Sequence, residues 1–187
     1  GERQLTHLTL LVEDAAGYRN LCRLLTAAHA HTRDNATRGA GQPWATLEQL
    51  EEHAAGLVCL SGCARDGALA GVWERRDTAR GERLGRRLLA AFGRERFRVE
   101  LQRPYWRRDR ARNRWLALLA ERLGVPTVAT GNIHAHSRSR SHLQDALVAI
   151  GLNETRESSE PRRRGISMSA LASPAAMAAR FAEHPGA

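Results

Sequence analysis

The chain has 187 residues, 42% of them hydrophobic, a length and composition that suit one soluble globular domain and exclude wholesale disorder. No apolar run approaches the roughly 18–20 residues that a membrane span needs, and the polar start Gly1-Glu2-Arg3-Gln4 lacks the apolar core of a signal peptide. The formal net charge is +9, and all 29 basic residues are arginine. A coding sequence rich in G and C accounts for most of that bias. Guanidinium groups also match phosphate oxygens, so the charge points weakly to a nucleic-acid partner.

Thr6 to Val12 is β-branched and leucine-rich and predicts a buried strand. With no initiator Met before it, the start reads as a cut inside a longer chain. Tyr18, Leu21, Cys22, Leu25 and Ala28 then recur at helical spacing, predicting a helix over 15–30 with Cys22 in the core. A polar, glycine-containing loop follows from Thr32 to Gln42. Thr46 offers an N-cap for a short helix reaching His53. Gly56 breaks it, and Leu57 to Ser61 forms a second buried strand containing Cys59.

A helix over 81–92 precedes the alternating strand Phe97 to Leu101. Arg108 to Leu123 reads as a long helix with Trp115, Leu118, Leu119 and Leu123 on one face, closed by Gly124. A strand over 127–130 and a helix over 143–150 come next. A charged loop spans Glu154 to Arg164, and a last helix starts at Ser173-Pro174, a cap followed by proline at the first helical position. Strand and helix alternate about four times, which predicts α/β architecture with parallel strands and crossover helices, either a barrel or a doubly wound sheet.

In such folds functional residues gather past the C-terminal ends of strands. Gly62-Cys63 follows the second strand, and Gly131-Asn132-Ile133-His134-Ala135-His136 follows the fourth. Asn132 and His134 lie two apart, so an extended loop would turn both to one side. Glu100 would face away from its neighbours Val99 and Leu101. Each residue alone is more often a packing, loop or capping residue than a ligand; their joint placement at strand exits is what favours ligation. Three cysteines, Cys22, Cys59 and Cys63, show no zinc-finger spacing and no disulfide framework, which fits a reducing cytoplasm. Arg107, Arg108, Arg110, Arg112 and Arg114 surround Trp106 and Trp115, and read first as a solvated helix face, second as a DNA-contacting patch.

Four segments in order, HLTLLVEDAAGYRNLCRLL (His7 to Leu25), GLVCLSGC (Gly56 to Cys63), FRVELQ (Phe97 to Gln102) and VPTVATGNIHAH (Val125 to His136), resemble the PHP domain of C-family bacterial DNA polymerases. LQDALVAI (Leu143 to Ile150) and SPAAMAARFAEHPGA (Ser173 to Ala187) continue the resemblance, and RSRSHLQDAL is similar to the error-prone branch. The resemblance implies a distorted (β/α) barrel, here a partial one, over residues 1–150. Residues 151–187 would be a linker and helix leading toward an absent polymerase palm.

It also implies a trinuclear site of His, Asp, Glu and Cys ligands, which in some members serves a metal-dependent 3′–5′ exonuclease. His7, Cys63 and His134 match family ligands, while Asn132 stands at an aspartate position. The opening His-x-His of the family has no counterpart. An amide oxygen cannot balance cation charge as a carboxylate does, so zinc, manganese or magnesium is expected to bind weakly or not at all. The expected role is structural: a degenerate PHP site within an error-prone polymerase of the cytoplasm, with DNA and the remaining polymerase domains as partners and no membrane. A stand-alone PHP phosphoesterase and a non-enzymatic basic nucleic-acid-binding module are the alternatives.

Overall fold

The computed structural model describes residues 5–32, 42–160 and 169–187. Four strands, β1 (Thr9–Val12), β2 (Leu57–Leu60), β3 (Phe97–Gln102) and β4 (Thr127–Thr130), form one sheet in the order β1-β2-β3-β4. β2, β3 and β4 run parallel, with Cys59 beside Phe97 and Glu100 beside Val128. β1 departs from the parallel expectation: it pairs antiparallel with β2, Thr9 opposite Leu60 and Val12 opposite Leu57. It is also not the buried strand that its composition suggests, since Leu11 and Val12 are exposed. β1 borders the sheet and has one strand neighbour, so little covers it. The result is a mixed α/β, mostly parallel partial barrel of the expected kind.

Seven helices surround the sheet among the described residues: α1 (Ala15–Ala28), α2 (Leu47–Glu52), α3 (Ala68–Glu74), α4 (Thr78–Phe92), α5 (Asp109–Leu123), α6 (Ser141–Leu152) and α7 (Pro174–Arg180). Their ends follow local chemistry. Asp14 caps α1 by accepting from the Gly17 N–H at 2.7 Å. Thr46 and Gln49 form a reciprocal capping box on α2. Gly124 closes α5 in the left-handed conformation, φ +66°. Ser173 caps α7 with Pro174 next, as expected. Most of the 32–42 loop and the end of the 154–164 loop lie outside the described residues.

The core joins Leu57, Phe97, Val99 and Leu101 of the sheet to Leu24, Leu69, Leu88, Leu116 and Leu119 of the helices. Expectations for two helix faces need correction. Cys22 is exposed, because the buried stripe of α1 runs through Gly17, Leu24 and Ala28, and Cys22 projects from the opposite side. Leu118 is also exposed: the buried stripe of α5 is Arg112, Leu116, Leu119 and Leu123, at helical spacing that includes an arginine. α3 is an additional helix that carries no amphipathic signal, since Ala68 to Val72 are all buried.

Candidate functional site at the strand exits

β2 ends at Leu60, and Ser61-Gly62-Cys63-Ala64 leads away from it. Gly62 has φ +94°, a conformation that L side chains rarely adopt, and a Cβ there would strike the His7 carbonyl oxygen. That close approach lets His7 run beside the loop. Its N–H donates to the Asp66 carbonyl at 2.8 Å, and its carbonyl accepts from Ala68 N–H at 3.0 Å. The backbones of His7 and the Cys63 turn are therefore brought together, with the His7 side chain exposed. Cys63 is half-buried, and its Sγ accepts from the Asp66 N–H at 3.5 Å.

A polar network ties three strand exits to one another. Ser61 Oγ accepts from the Glu100 N–H at 2.9 Å. Gln102 spans the group: its Oε1 accepts from the Ala64 N–H at 2.9 Å, and its Nε2 donates to Glu100 Oε1 at 2.7 Å and Thr130 Oγ1 at 2.9 Å. The Thr130 hydroxyl donates to the same Glu100 oxygen. Glu100 is buried, and its Oε2 has no hydrogen-bond partner among the described residues. Glu100 does sit on the opposite face from Val99 and Leu101, yet both faces of β3 are covered, as in a parallel sheet. The spacing of two polar residues, Glu100 and Gln102, in an apolar strand was the available signal for this network. Beneath it, burial and then the Glu100 carboxylate push the Cys59 thiol up to about 12.

The fourth exit is not extended. Asn132 has φ +46°, left-handed, so period-two alternation fails and Asn132 and His134 are not presented as a simple same-side pair. Asparagine is among the few non-glycine residues that tolerate this region. The His134 N–H donates to the Ser169 carbonyl at 2.7 Å, and Ala135 bridges to Ala170, docking this loop onto the segment before α7. Among the described residues, no three His, Cys, Asp or Glu side chains are grouped to hold a metal ion. His7, Cys63 and His134, with the neutral Asn132, do not fit a multinuclear metal centre.

The arginine run also divides. Arg107, Arg108, Arg110 and Arg114 are exposed. Arg108 pairs with Glu74 at 3.3 Å and lies over the Trp73 ring at 4.4 Å, while Arg110 pairs with Glu183 at 3.0 Å. Arg112 instead points inward. It is buried, bonded to Asp109 at 2.7 Å and donating to the Gln102 carbonyl at 2.9 Å, so it belongs to the core and not to a basic surface.

Residues 2–104 match the PHP domain family. An error-prone DNA polymerase of Symbiobacterium thermophilum is 36% identical over 189 residues, covering 96% of this chain and 17% of that protein. The DNA polymerase III subunit alpha of Treponema pallidum is 32% identical over 161 residues, covering 86% of this chain and 13% of that protein. An error-prone DNA polymerase of Mycolicibacterium paratuberculosis is 35% identical over 180 residues, covering 96% and 16%. The chain thus spans less than a fifth of the length of these relatives. No helix among the described residues is long and apolar enough to cross a membrane. With more than half of its length matching, the chain belongs to the PHP domain family.

Proposed function

We propose that this chain is the PHP portion of an error-prone DNA-directed DNA polymerase, acting in replication and in repair synthesis across damage. The observation that carries the reading is the similarity over 96% of the chain to a polymerase named error-prone. Residues 1–150 form the barrel portion, and 151–187 lead toward the polymerase palm. DNA and the remaining polymerase domains are its partners, in the cytoplasm.

The metal site is degenerate and the role structural. Asn132 supports this, because a neutral amide replaces the carboxylate that would balance divalent charge. The Ser61–Gln102–Glu100–Thr130 network supports it as well, since it spends the polar groups of three strand exits on one another. Any zinc, manganese or magnesium binds weakly, if at all.

The test measures metal content and 3′–5′ trimming of DNA ends by the intact polypeptide, the longer chain of which these residues are the PHP portion, and by its Asn132→Asp variant. Aspartate tolerates the left-handed conformation much as asparagine does, so stability should change by no more than about 0.5 kcal/mol. The expected result is no stoichiometric metal and no trimming in the parent. Two or three tightly held metals with trimming by the parent would overturn the degenerate reading. Failure of the intact polypeptide to extend a primer would overturn the polymerase reading.

A further inference from the structure

Away from the strand exits discussed above, one cleft gathers positive charge that carboxylates do not match. It is a small depression, open to solvent, between the segment leaving β3, α5 and the end of α7. Arg103, Arg110, Asn113, Arg180, Glu183 and His184 line it. Arg180 is only 7% exposed, and among the described residues neither it nor Arg103 is paired with a carboxylate. Glu183 is the one acidic residue of the lining, and it is engaged by Arg110 at 3.0 Å. Three guanidinium groups therefore face one carboxylate.

The two unmatched arginines are held in place. The Arg103 guanidinium donates to the Arg180 carbonyl at 2.7 Å, at the C-terminal end of α7 where a cation is favoured. Both guanidinium carbons lie near the Tyr105 ring, at 5.2 Å for Arg103 and 5.9 Å for Arg180. Tyr105 itself has φ +67°, a costly conformation for a residue of this size. Arg180 is buried and Arg103 half-buried, and holding two like charges around one depression is unfavourable unless an anion joins them.

Asn113 adds an independent sign of a ligand. It is 2% exposed and donates through Nδ2 to the Gln102 carbonyl at 3.1 Å, leaving its Oδ1 buried without a partner among the described residues. A buried acceptor left unpaired beside a set of donors calls for a ligand that carries both an anionic group and a hydroxyl or amine. Guanidinium forks suit phosphate oxygens, and a phosphate can sit at the open mouth of the depression.

We propose that this cleft is a phosphate subsite that takes one phosphate group of a nucleotide, clamped by Arg103 and Arg180, with Asn113 Oδ1 accepting a donor from the same ligand. Only the source of the phosphate, a DNA strand, rests on the polymerase reading. A free nucleotide or inorganic phosphate presents the same chemistry.

The experiment uses the intact polypeptide and reads two probes: a labelled single-stranded oligonucleotide by fluorescence anisotropy, and inorganic phosphate by equilibrium dialysis. Arg103→Gln and Arg180→Gln should each weaken binding about tenfold, and lower the salt slope for the oligonucleotide by about one. Glu183→Gln should tighten binding of both probes, because it removes the competing carboxylate. That variant changes an exposed side chain, so it keeps the test open if Arg180→Gln fails to fold. Changes in both probes support a subsite for a strand phosphate. Changes with inorganic phosphate alone support the subsite and assign it to free phosphate. No change in either probe with Arg103→Gln and Glu183→Gln overturns the subsite. Primer extension by the unaltered polypeptide is scored separately, so a failed subsite and a failed polymerase reading give different results.

Discussion

Glu100 Oε1 receives two donors, Gln102 Nε2 and the Thr130 hydroxyl, in a place that water scarcely reaches. Thr130→Val keeps the shape and removes one donor from a buried carboxylate. It should cost about 1–3 kcal/mol, read as a lower urea midpoint. An unchanged midpoint would mean that the carboxylate does not depend on that bond. Cys59 makes a second statement at this scale. Its thiol titrates near 12 in the folded chain against an ordinary 9.0, because burial and the nearby Glu100 charge disfavour the thiolate. Between those values the folded state holds a proton that the unfolded state has lost. Stability is therefore fully present below about pH 9 and is lost as pH rises toward about 12. A Cys59→Ala variant should show a shallower loss over that window in urea titrations at stepped pH. Equal slopes would remove Cys59 as the cause.

The packing of α4 on α5 turns on two glycines one turn apart. A Cβ at Gly81 would lie 2.7 Å from Cη2 of the Trp115 ring, and one at Gly85 would lie 2.7 Å from Cδ1 of Leu123. Alanine in a helix interior normally stabilises by roughly 0.5–1 kcal/mol over glycine. At Gly81 the rigid indole cannot swing aside as the end of a leucine can, and overpacking costs about 1–3 kcal/mol. Gly81→Ala should therefore lower stability by about 1–2 kcal/mol, with Gly85→Ala milder, as thermal unfolding of the two would show. A more stable Gly81→Ala would mean that α4 shifts freely on α5. The opposite side of α4 is tied to α2 by Arg87, which bonds to Glu48 at 2.6 Å and also to Glu51. The Arg87 guanidinium holds the Glu48 carboxyl down to about 2. Glu48 is exposed while Arg87 and Glu51 are half-buried, so salt screens the link in part.

Across the molecule, apolar surface is left open at several places, β1 and α6 among them. β1 exposes Leu11 and Val12 at the sheet edge, and α6 exposes Leu143, Leu147 and Ile150 along one stripe, with Ala149 its one fully buried residue. The hydrophobic content therefore does not all enter a single core. Leu147→Gln combined with Ile150→Gln should cut the fluorescence of a bound apolar dye by about half while stability moves by less than about 0.5 kcal/mol per site. A large loss of stability would place those side chains inside the fold in solution.

Local signals were legible wherever a single residue's chemistry decides the outcome. The caps at Thr46 and Ser173, the left-handed stop at Gly124 and the strand over 127–130 follow from neighbours in the chain. So did the α/β class, because alternating strands and helices have few ways to bury their apolar faces. The ordered motifs also made the family resemblance readable, and residues 2–104 match that family. Three things needed the third dimension. β1 runs antiparallel at an edge, since strand direction depends on how the chain returns and not on composition. Arg112 is buried and Cys22 exposed, because a helix stripe is set by what packs against it. The Glu100–Gln102–Thr130 network and the Arg103–Arg180 cleft join residues 28 to 77 positions apart, a juxtaposition that only tertiary packing can create.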